Sequence, residues 1–242
     1  MRSVVLASYQ GEQYIGQQLD SILPQLAPAD EVVVSDDAST DRTLEITAAR
    51  RDPRIRILAN DHRVGYIANF QRAIEASHGE RIFFSDQDDV WLPSKVATLE
   101  AALQDNACVA SDAAVVDDRL QPLYDSYFDF RKVRGFSSLS IYLRPPIIGS
   151  TLACRREYLL GLLPFPRGIP HDFWLTANAA FDQTLGVIQK PLILYRRHPT
   201  AFSVSGTANR RSARTITAER ARLIFEMLRR RLLRRPSGSV TG

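Results

Sequence analysis

The sequence predicts an α/β fold with a mostly parallel central sheet flanked by helices, and three observations carry this expectation. Short β-branched runs alternate four times with helical stretches between residues 3 and 84, the pattern of parallel strands joined by right-handed crossovers. The apolar run Ile82, Phe83, Phe84 reads as a buried parallel strand. Acidic strings stand directly behind two of the runs, where ligands bind at the carboxyl ends of the strands in open α/β sheets.

The elements follow in order. Residues 3–7 form the first strand, and residues 11–23 a helix with Tyr14, Ile15, Leu19, Ile22 and Leu23 on one face, stopped by Pro24. Residues 31–34 are the second strand and 43–50 the next helix; residues 55–58 are the third strand and 67–77 the third helix, ahead of the strand at 81–84. Residues 93–103 are helical and 107–110 are a strand, after which Asp112, Asp117 and Asp118 read as solvated loop acids. Residues 121–148 are rich in aromatic and Arg residues, a composition that suits either sugar contact or the core of an irregular segment. A helix opens near His171 with Phe173 and Trp174 turned inward, and strands at 185–188 and 191–198 end on Arg196, Arg197 and His198.

The chain has 242 residues, room for one large domain or two small ones. Cys108 and Cys154 are its only cysteines, too few for a disulfide framework or a cysteine zinc site, which implies a reducing interior. No leader-like segment precedes the first strand and no apolar run is long enough to span a bilayer, so a cytoplasmic protein is expected. The net charge of +4 hides an asymmetry: residues 207–242 carry ten Arg against Glu219 and Glu226, a surplus of +8, which leaves −4 for residues 1–206. The division expected is a body over residues 1–206 and a basic tail over 207–242.

The chemistry concentrates in Asp86, Asp88 and Asp89, crowded at a strand end. Such a group of anionic oxygens suits a hard cation, Mg²⁺ or Mn²⁺, which takes one or two carboxylates and completes its shell with substrate phosphates and water. The alternative is an acidic turn capping the helix near Pro93. Residues 7–11 match neither a dinucleotide fingerprint nor a P-loop, which speaks against a dehydrogenase, a methyltransferase or a P-loop enzyme. The first two strands offer instead Tyr9, able to stack on a base, and Asp36 and Asp37, able to accept from a base N–H or ribose hydroxyls; a helix-capping role competes for Ser39, Thr40 or Asp41. His198 suits a metal shell or a diphosphate, and Arg196 or Arg197 can pair with a diphosphate bidentately.

The string from Val32 to Asp41, with its DDASTD, followed by SDQDDVWLPSKV from Ser85, resembles the inverting family 2 glycosyltransferases of the GT-A fold, most of all the bacterial rhamnosyltransferase-like group. The similarity runs from Ser3 to about His198. It implies a nucleotide-sugar-binding half over residues 1–104 and an acceptor half over 105–206, with Ala7 and Tyr9 flanking the base and Asp37 bonded to it. It implies that Asp86 and Asp88 form the Asp-Xaa-Asp motif, Asp88 as metal ligand and Asp86 touching metal, ribose or sugar, and that Asp172 is the general base. It raises His198 as a further metal ligand. This chain has Gln10 where the family has Asn after the tyrosine.

The activity implied is transfer of a sugar from a nucleoside diphosphate, with dTDP-rhamnose the leading donor and a UDP-hexose the alternative, to a hydroxyl of a bacterial surface glycan or lipid-linked oligosaccharide. The rivals are a sugar-phosphate nucleotidyltransferase and a catalytically silent glycan- or membrane-binding scaffold. In the tail, Ile216, Leu223, Ile224, Met227, Leu228 and Leu232 form a helical stripe opposite Arg220, Arg222, Arg229 and Arg230. The preferred partner of that helix is the inner face of the cytoplasmic membrane, each Arg contributing about 1 kcal/mol at an anionic surface; docking on the body or on a second copy is the alternative. Nucleic acid is disfavoured, because the body is acidic.

Overall fold

The backbone is organised around one mixed sheet, seen in a computed structural model that describes residues 1–198 and 213–233. The stretch between Ser203 and Thr215, which its sequence suggests is mobile, lies almost wholly outside the described residues. Strands β1 (Arg2–Ser8), β2 (Glu31–Asp36), β3 (Ile55–Ala59) and β4 (Arg81–Asp86) run parallel in the order β3-β2-β1-β4. They alternate with helices α1 (Ile15–Ile22), α2 (Thr43–Ala48) and α3 (Tyr66–Ala76), as their apolar periodicity predicts. Beyond β4 the sheet continues through β8 (Leu152–Arg155), β6 (Cys108–Val116), β9 (Leu185–Arg196) and β5 (Val90–Trp91), with β7 (Pro122–Tyr124) paired to β6. In this half β6 and β9 are parallel and the other pairings are antiparallel, so the parallel expectation holds for the first half only. Helix α4 (Lys95–Ala102) follows β5, α5 (Tyr127–Phe130) and α6 (Ser138–Leu143) fill the segment after β7, and α7 (Arg156–Leu160) and α8 (His171–Phe181) follow β8.

Both faces of the sheet are covered. Val5, Val33, Ile82 and Phe84 pack with Phe70 and Ile74 of α3 and Trp174 of α8 on one side. Val4, Leu6, Val32, Val34 and Phe83 pack with Ile15 and Leu19 of α1 and Leu99 of α4 on the other. Period-2 alternation thus feeds two cores from each central strand, which is why these strands are apolar end to end.

Two local expectations change. Strand β6 does not stop at Ala110, and Asp112 lies buried inside it instead of in a solvated loop. Its carboxylate accepts from Ser126 Oγ at 2.5 Å and from the Phe128 backbone N–H at 3.0 Å, which anchors α5 to the sheet. The two runs at 185–188 and 191–198 are one strand, β9, whose register against β6 shifts between Ile188 and Pro191. Proline has no N–H to give to a ladder, so an irregularity belongs there.

The tail helix α9 (Ala213–Leu233) docks on the body. Leu223 and Met227 are buried in the core cluster that contains Phe173 and Trp174. Arg220 stacks 4.2 Å from the Phe173 ring centre, Arg230 5.2 Å from that of Trp174, and Arg231 pairs with Asp182 at 2.8 Å. Arg230 also donates to the carbonyls of Leu163, at 3.0 Å, and Pro164. The single apolar stripe read from the sequence is therefore split: Leu223 and Met227 face inward while Ile224, Leu228 and Leu232 stay exposed, and Arg220 and Arg230 turn to the protein, not to solvent.

Leu223→Ala is expected to lower stability by about 2–4 kcal/mol in urea denaturation, as a fully buried leucine does. A change below about 0.5 kcal/mol, the size of a surface effect, would show that the helix is not seated on the body.

Candidate active site

The in-register pairing of β1 with β2 and β4 brings Ala7 beside Asp86 and Ser8 beside Asp36, so three acidic or polar loops rise together at the carboxyl edge of the sheet. The Gln87 side chain joins two of them: Oε1 accepts from the Tyr9 N–H at 2.8 Å and Nε2 donates to the Tyr9 carbonyl at 2.9 Å. A Cβ at Gly11 would stand 2.2 Å from Gln87 Oε1, so this bridge requires glycine there. Gln10 adopts φ 51°, a left-handed conformation that Asn tolerates better than Gln, and its Oε1 accepts from the Thr40 N–H at 2.8 Å. Tyr9 carries the Arg63 guanidinium on one face, 3.8 Å from the ring centre, which leaves stacking for the other.

The two aspartates after β2 differ. Asp36 is fully enclosed and accepts from Ser8 Oγ, Ser39 N–H and Ser39 Oγ at 2.6–2.8 Å. Asp36, expected to meet a nucleotide, here closes its own loop with these contacts. Asp37 accepts from the N–H groups of Val64 and Gly65, at 2.6 and 3.1 Å, and lies 3.7 Å from Arg63.

Four carboxylates crowd the loop after β4. Burial raises the Asp86 carboxyl well above its ordinary range, and repulsion from Asp89, Asp88 and Asp172 adds to this against the pull of Lys95. Burial likewise raises Asp89 to about 7, with Asp88 adding to it, while Ser150 Oγ donates to Asp89 at 2.6 Å. Lys95 is wholly buried beneath them; its ammonium donates to the Ser150 carbonyl at 2.6 Å and lies 3.9 Å from the Trp91 ring centre. Burial lowers it to about 7, opposed by the attraction of Asp89 and Asp86.

Arg196, expected to meet a diphosphate, is buried. Nε donates to the Asp88 carbonyl at 2.8 Å, Nη1 to the Asp118 carbonyl at 2.6 Å and Nη2 to Gln17 at 2.5 Å, while its backbone N–H reaches Asp89 at 3.2 Å. Through these contacts Arg196 clamps the loop itself. His198 Nε2 lies 3.0 Å from Asp88 Oδ2, and its ring packs 4.6 Å from that of Tyr14.

Asp172 occupies the first turn of α8 and lies close enough to Asp86 to repel it, although 86 positions separate them in the chain. One residue earlier, His171 sits among aromatic rings, 4.5 Å from Phe70 and 5.7 Å from Phe84. Neither ring nitrogen has a hydrogen-bond partner among the described residues, and burial lowers the imidazole to about 3. Gly149 permits this approach, since a Cβ there would meet His171 Nε2 at 2.7 Å. The turn at Gly149–Thr151 therefore touches α8 through Gly149 and the acidic loop through Ser150.

Among the described residues no group of three or more His, Cys, Asp and Glu forms a ready metal cage. Mg²⁺ and Mn²⁺ do not require one, because substrate phosphates fill much of their shell. The donor set fits such an ion: no hydrogen-bond donor among the described residues reaches the Asp86 carboxylate, and Asp88 and His198 are adjacent. Sequence reading had not singled out Gln87, Lys95, Gly149 or Ser150. The spacing of Lys95 with Val96, Leu99 and Leu103 marked it as a charge on a buried helix face, whereas Gly149 and Ser150 carried no local signal.

The sequence model described as glycosyl transferase family 2 matches residues 3–159. A UDP-Glc:α-D-GlcNAc-diphosphoundecaprenol β-1,3-glucosyltransferase of Escherichia coli is 24% identical over 84% of this chain and 79% of its own length. A dTDP-rhamnosyl transferase of Shigella flexneri is 28% identical over 80% of this chain and 71% of its own. Uncharacterised mycobacterial relatives are 27% identical over 86% of this chain, which spans 62% of their length. In structure, Staphylococcus aureus TarS with UDP-GlcNAc superposes with a TM-score of 0.70 at 20% identity, over 96% of this chain and 73% of TarS. A Pyrobaculum calidifontis mannosyltransferase with GDP-Man and Mn²⁺ gives 0.62 at 19% identity, over 98% and 65%. These folds are GT-A, and the sheet described above is of the same type.

His171 makes stability pH-dependent. Its folded pKa lies below the ordinary 6.5, so between pH 6.5 and 3 the unfolded chain binds a proton that the folded one refuses, and stability falls as pH falls. The expected loss from this group between pH 6.5 and 5 is about 1.5 kcal/mol. Asp86 and Asp89, raised in the fold, shift stability the opposite way in both chains, so urea denaturation should show the His171 loss as the difference in slope between the native chain and His171→Phe; equal slopes in both would mean that His171 does not carry the effect.

Proposed function

Since the chain belongs to glycosyl transferase family 2, we propose that it is a metal-dependent, inverting glycosyltransferase that moves a sugar from a nucleoside diphosphate to a hydroxyl of a bacterial glycan or lipid-linked oligosaccharide. The single observation that carries the reading is that the turn at Gly149–Thr151 meets Asp172 of α8 at Gly149, where a Cβ would stand 3.8 Å from that of Asp172, and the acidic loop at Ser150, which donates to Asp89 at 2.6 Å. A base for the acceptor and a grip for the donor then share one cleft.

In this reading the carboxylate of Asp172 takes the proton of the acceptor hydroxyl as its oxygen attacks the anomeric carbon. The bond from that carbon to the diphosphate oxygen breaks, its electrons leave with the nucleoside diphosphate, and attack from the opposite face inverts the configuration. Asp88, Asp86 and His198 would hold Mg²⁺ or Mn²⁺, which when bound neutralises charge on the departing diphosphate. The free face of Tyr9 stacks on the base, Ala7 flanks it, and Asp37 binds its polar edge. Residues 1–104 are then the donor half and residues 105–206 the acceptor half.

For the donor, the Shigella relative supports dTDP-rhamnose and the Escherichia relative supports UDP-glucose. The same Escherichia enzyme acts on a sugar joined through a diphosphate to a lipid, which supports a lipid-linked acceptor. No helix among the described residues is long and apolar enough to cross a membrane. Catalysis at the cytoplasmic face of the membrane, with the exposed Ile224, Leu228 and Leu232 of α9 against the bilayer, is consistent with such an acceptor.

Asp172→Asn is expected to cut transfer by about 10²–10⁴-fold while leaving Mn²⁺-dependent UDP binding within about threefold of the native chain. Asp88→Ala is expected to weaken that binding by more than about tenfold. Steady-state kinetics and calorimetry read the two apart, and undiminished turnover in Asp172→Asn would remove it as the base. Thermal shift with Mn²⁺ across dTDP-, UDP- and GDP-sugars identifies the donor as the one that raises the melting temperature most.

A further inference from the structure

We infer that a basic pocket between α5 and α6 binds the diphosphate of the acceptor, an assignment that rests on the glycosyl-transfer reading and names the acceptor's anionic end. The pocket has a volume of about 340 Å³ and is lined by Arg131, Lys132, Arg134 and Arg144, with Pro145 and Pro146 as an apolar wall. Over residues 126–148 these four cations face one acid, Asp129, whereas residues 1–206 as a whole carry a net negative charge. None of the four forms an ion pair among the described residues. Arg131 reaches only Tyr127, 3.4 Å from its hydroxyl and 5.7 Å from its ring centre, among the side chains described. Several arginines elsewhere are paired with acids, as Arg2 with Asp30, Arg54 with Asp52 and Arg56 with Glu31.

Four cations around one concavity repel one another, and a polyanion reverses the sign of that energy. Guanidinium groups bind phosphate oxygens in bidentate fashion, and three such forks with an ammonium suit two linked phosphates better than a single carboxylate. The volume lies at the lower end for small-molecule sites.

The pocket's position ties it to the acceptor. Pro146 is three residues from Gly149, a chain reach of at most about 11 Å. A Cβ on Gly149 would stand 3.8 Å from that of Asp172. The pocket wall at Pro146 therefore lies no farther from the base than the span of a short oligosaccharide, within which the reducing-end diphosphate of an acceptor and its attacking hydroxyl can both be held. Leu139 and Leu143, one turn apart on α6, are 66% and 62% exposed beside these cations, an apolar surface suited to the alkyl chain of a lipid diphosphate.

The test is titration of the intact chain with inorganic pyrophosphate in EDTA, followed by flotation with phosphatidylcholine vesicles doped with either a polyprenyl diphosphate or phosphatidylglycerol. Arg134→Ala/Arg144→Ala is expected to weaken pyrophosphate binding by about tenfold or more, Arg134→Lys/Arg144→Lys by less, and Asp88→Ala not at all. The native chain should float with polyprenyl diphosphate vesicles in preference to phosphatidylglycerol vesicles of equal charge. Pyrophosphate binding that survives Arg134→Ala/Arg144→Ala, or that disappears in Asp88→Ala, overturns the assignment. Equal flotation on both vesicles overturns it too, by giving the cations to a bilayer surface. Mn²⁺-dependent binding of UDP, dTDP or GDP, measured on the same native protein, separates the two readings: absence of all three sinks glycosyl transfer, whereas failure of the pyrophosphate arm alone sinks the pocket.

Discussion

Mutual repulsion among Asp86, Asp88, Asp89 and Asp172 is the constraint on which this structure turns. Carboxylates at one sheet edge, partly or wholly withdrawn from water, are held together only because other groups oppose their separation. Lys95 contributes a positive field from beneath, and Ser150 donates to Asp89 while accepting from Lys95. Arg196 grips the backbone of Asp88 and Asp118, so the loop keeps its shape without lending its own acids to the arginine. The charge left over is what a divalent cation and a nucleoside diphosphate together would satisfy.

Around this centre, close approach is arranged by residues that do no chemistry. Gln87 ties the loop after β1 to the loop after β4, and Gly11 leaves it room. Gly149 lets the neutral His171 ring come up against the backbone, which seats α8 and hence Asp172. Asp36 closes the loop that presents Asp37. Burial of polar groups here is tolerated because most are paired; among the described residues both nitrogens of His171 and Nε1 of Trp91 lack a hydrogen-bond partner, and the imidazole stays neutral for that reason.

The second half of the chain extends the same logic. Asp112 inside β6 anchors α5, and the cations that follow α5 line a pocket whose far wall leads in three residues to the turn beneath α8. The basic tail helix is neutralised differently: its arginines stack on Phe173, Trp174 and Phe181 and reach Asp182, so its charge serves docking as much as any outer surface.

The amino-acid sequence by itself determined the alternation of β1 to β4 with their helices, because period and β-branching are local properties that both cores reward. It also placed Asp86, Asp88 and Asp172 at element ends, since short acidic strings beside apolar runs are visible without coordinates. Tertiary structure alone decided the rest. The burial of Asp36 and Arg196, the strand role of Asp112 and the inward turn of Arg220 and Arg230 each depend on a partner tens of residues away. The antiparallel insertion of β8 beside β4 likewise rests on a pairing between distant segments. A polar side chain reads the same in sequence whether its oxygens meet water, a ligand or a distant backbone N–H; only the folded chain decides which of these it meets.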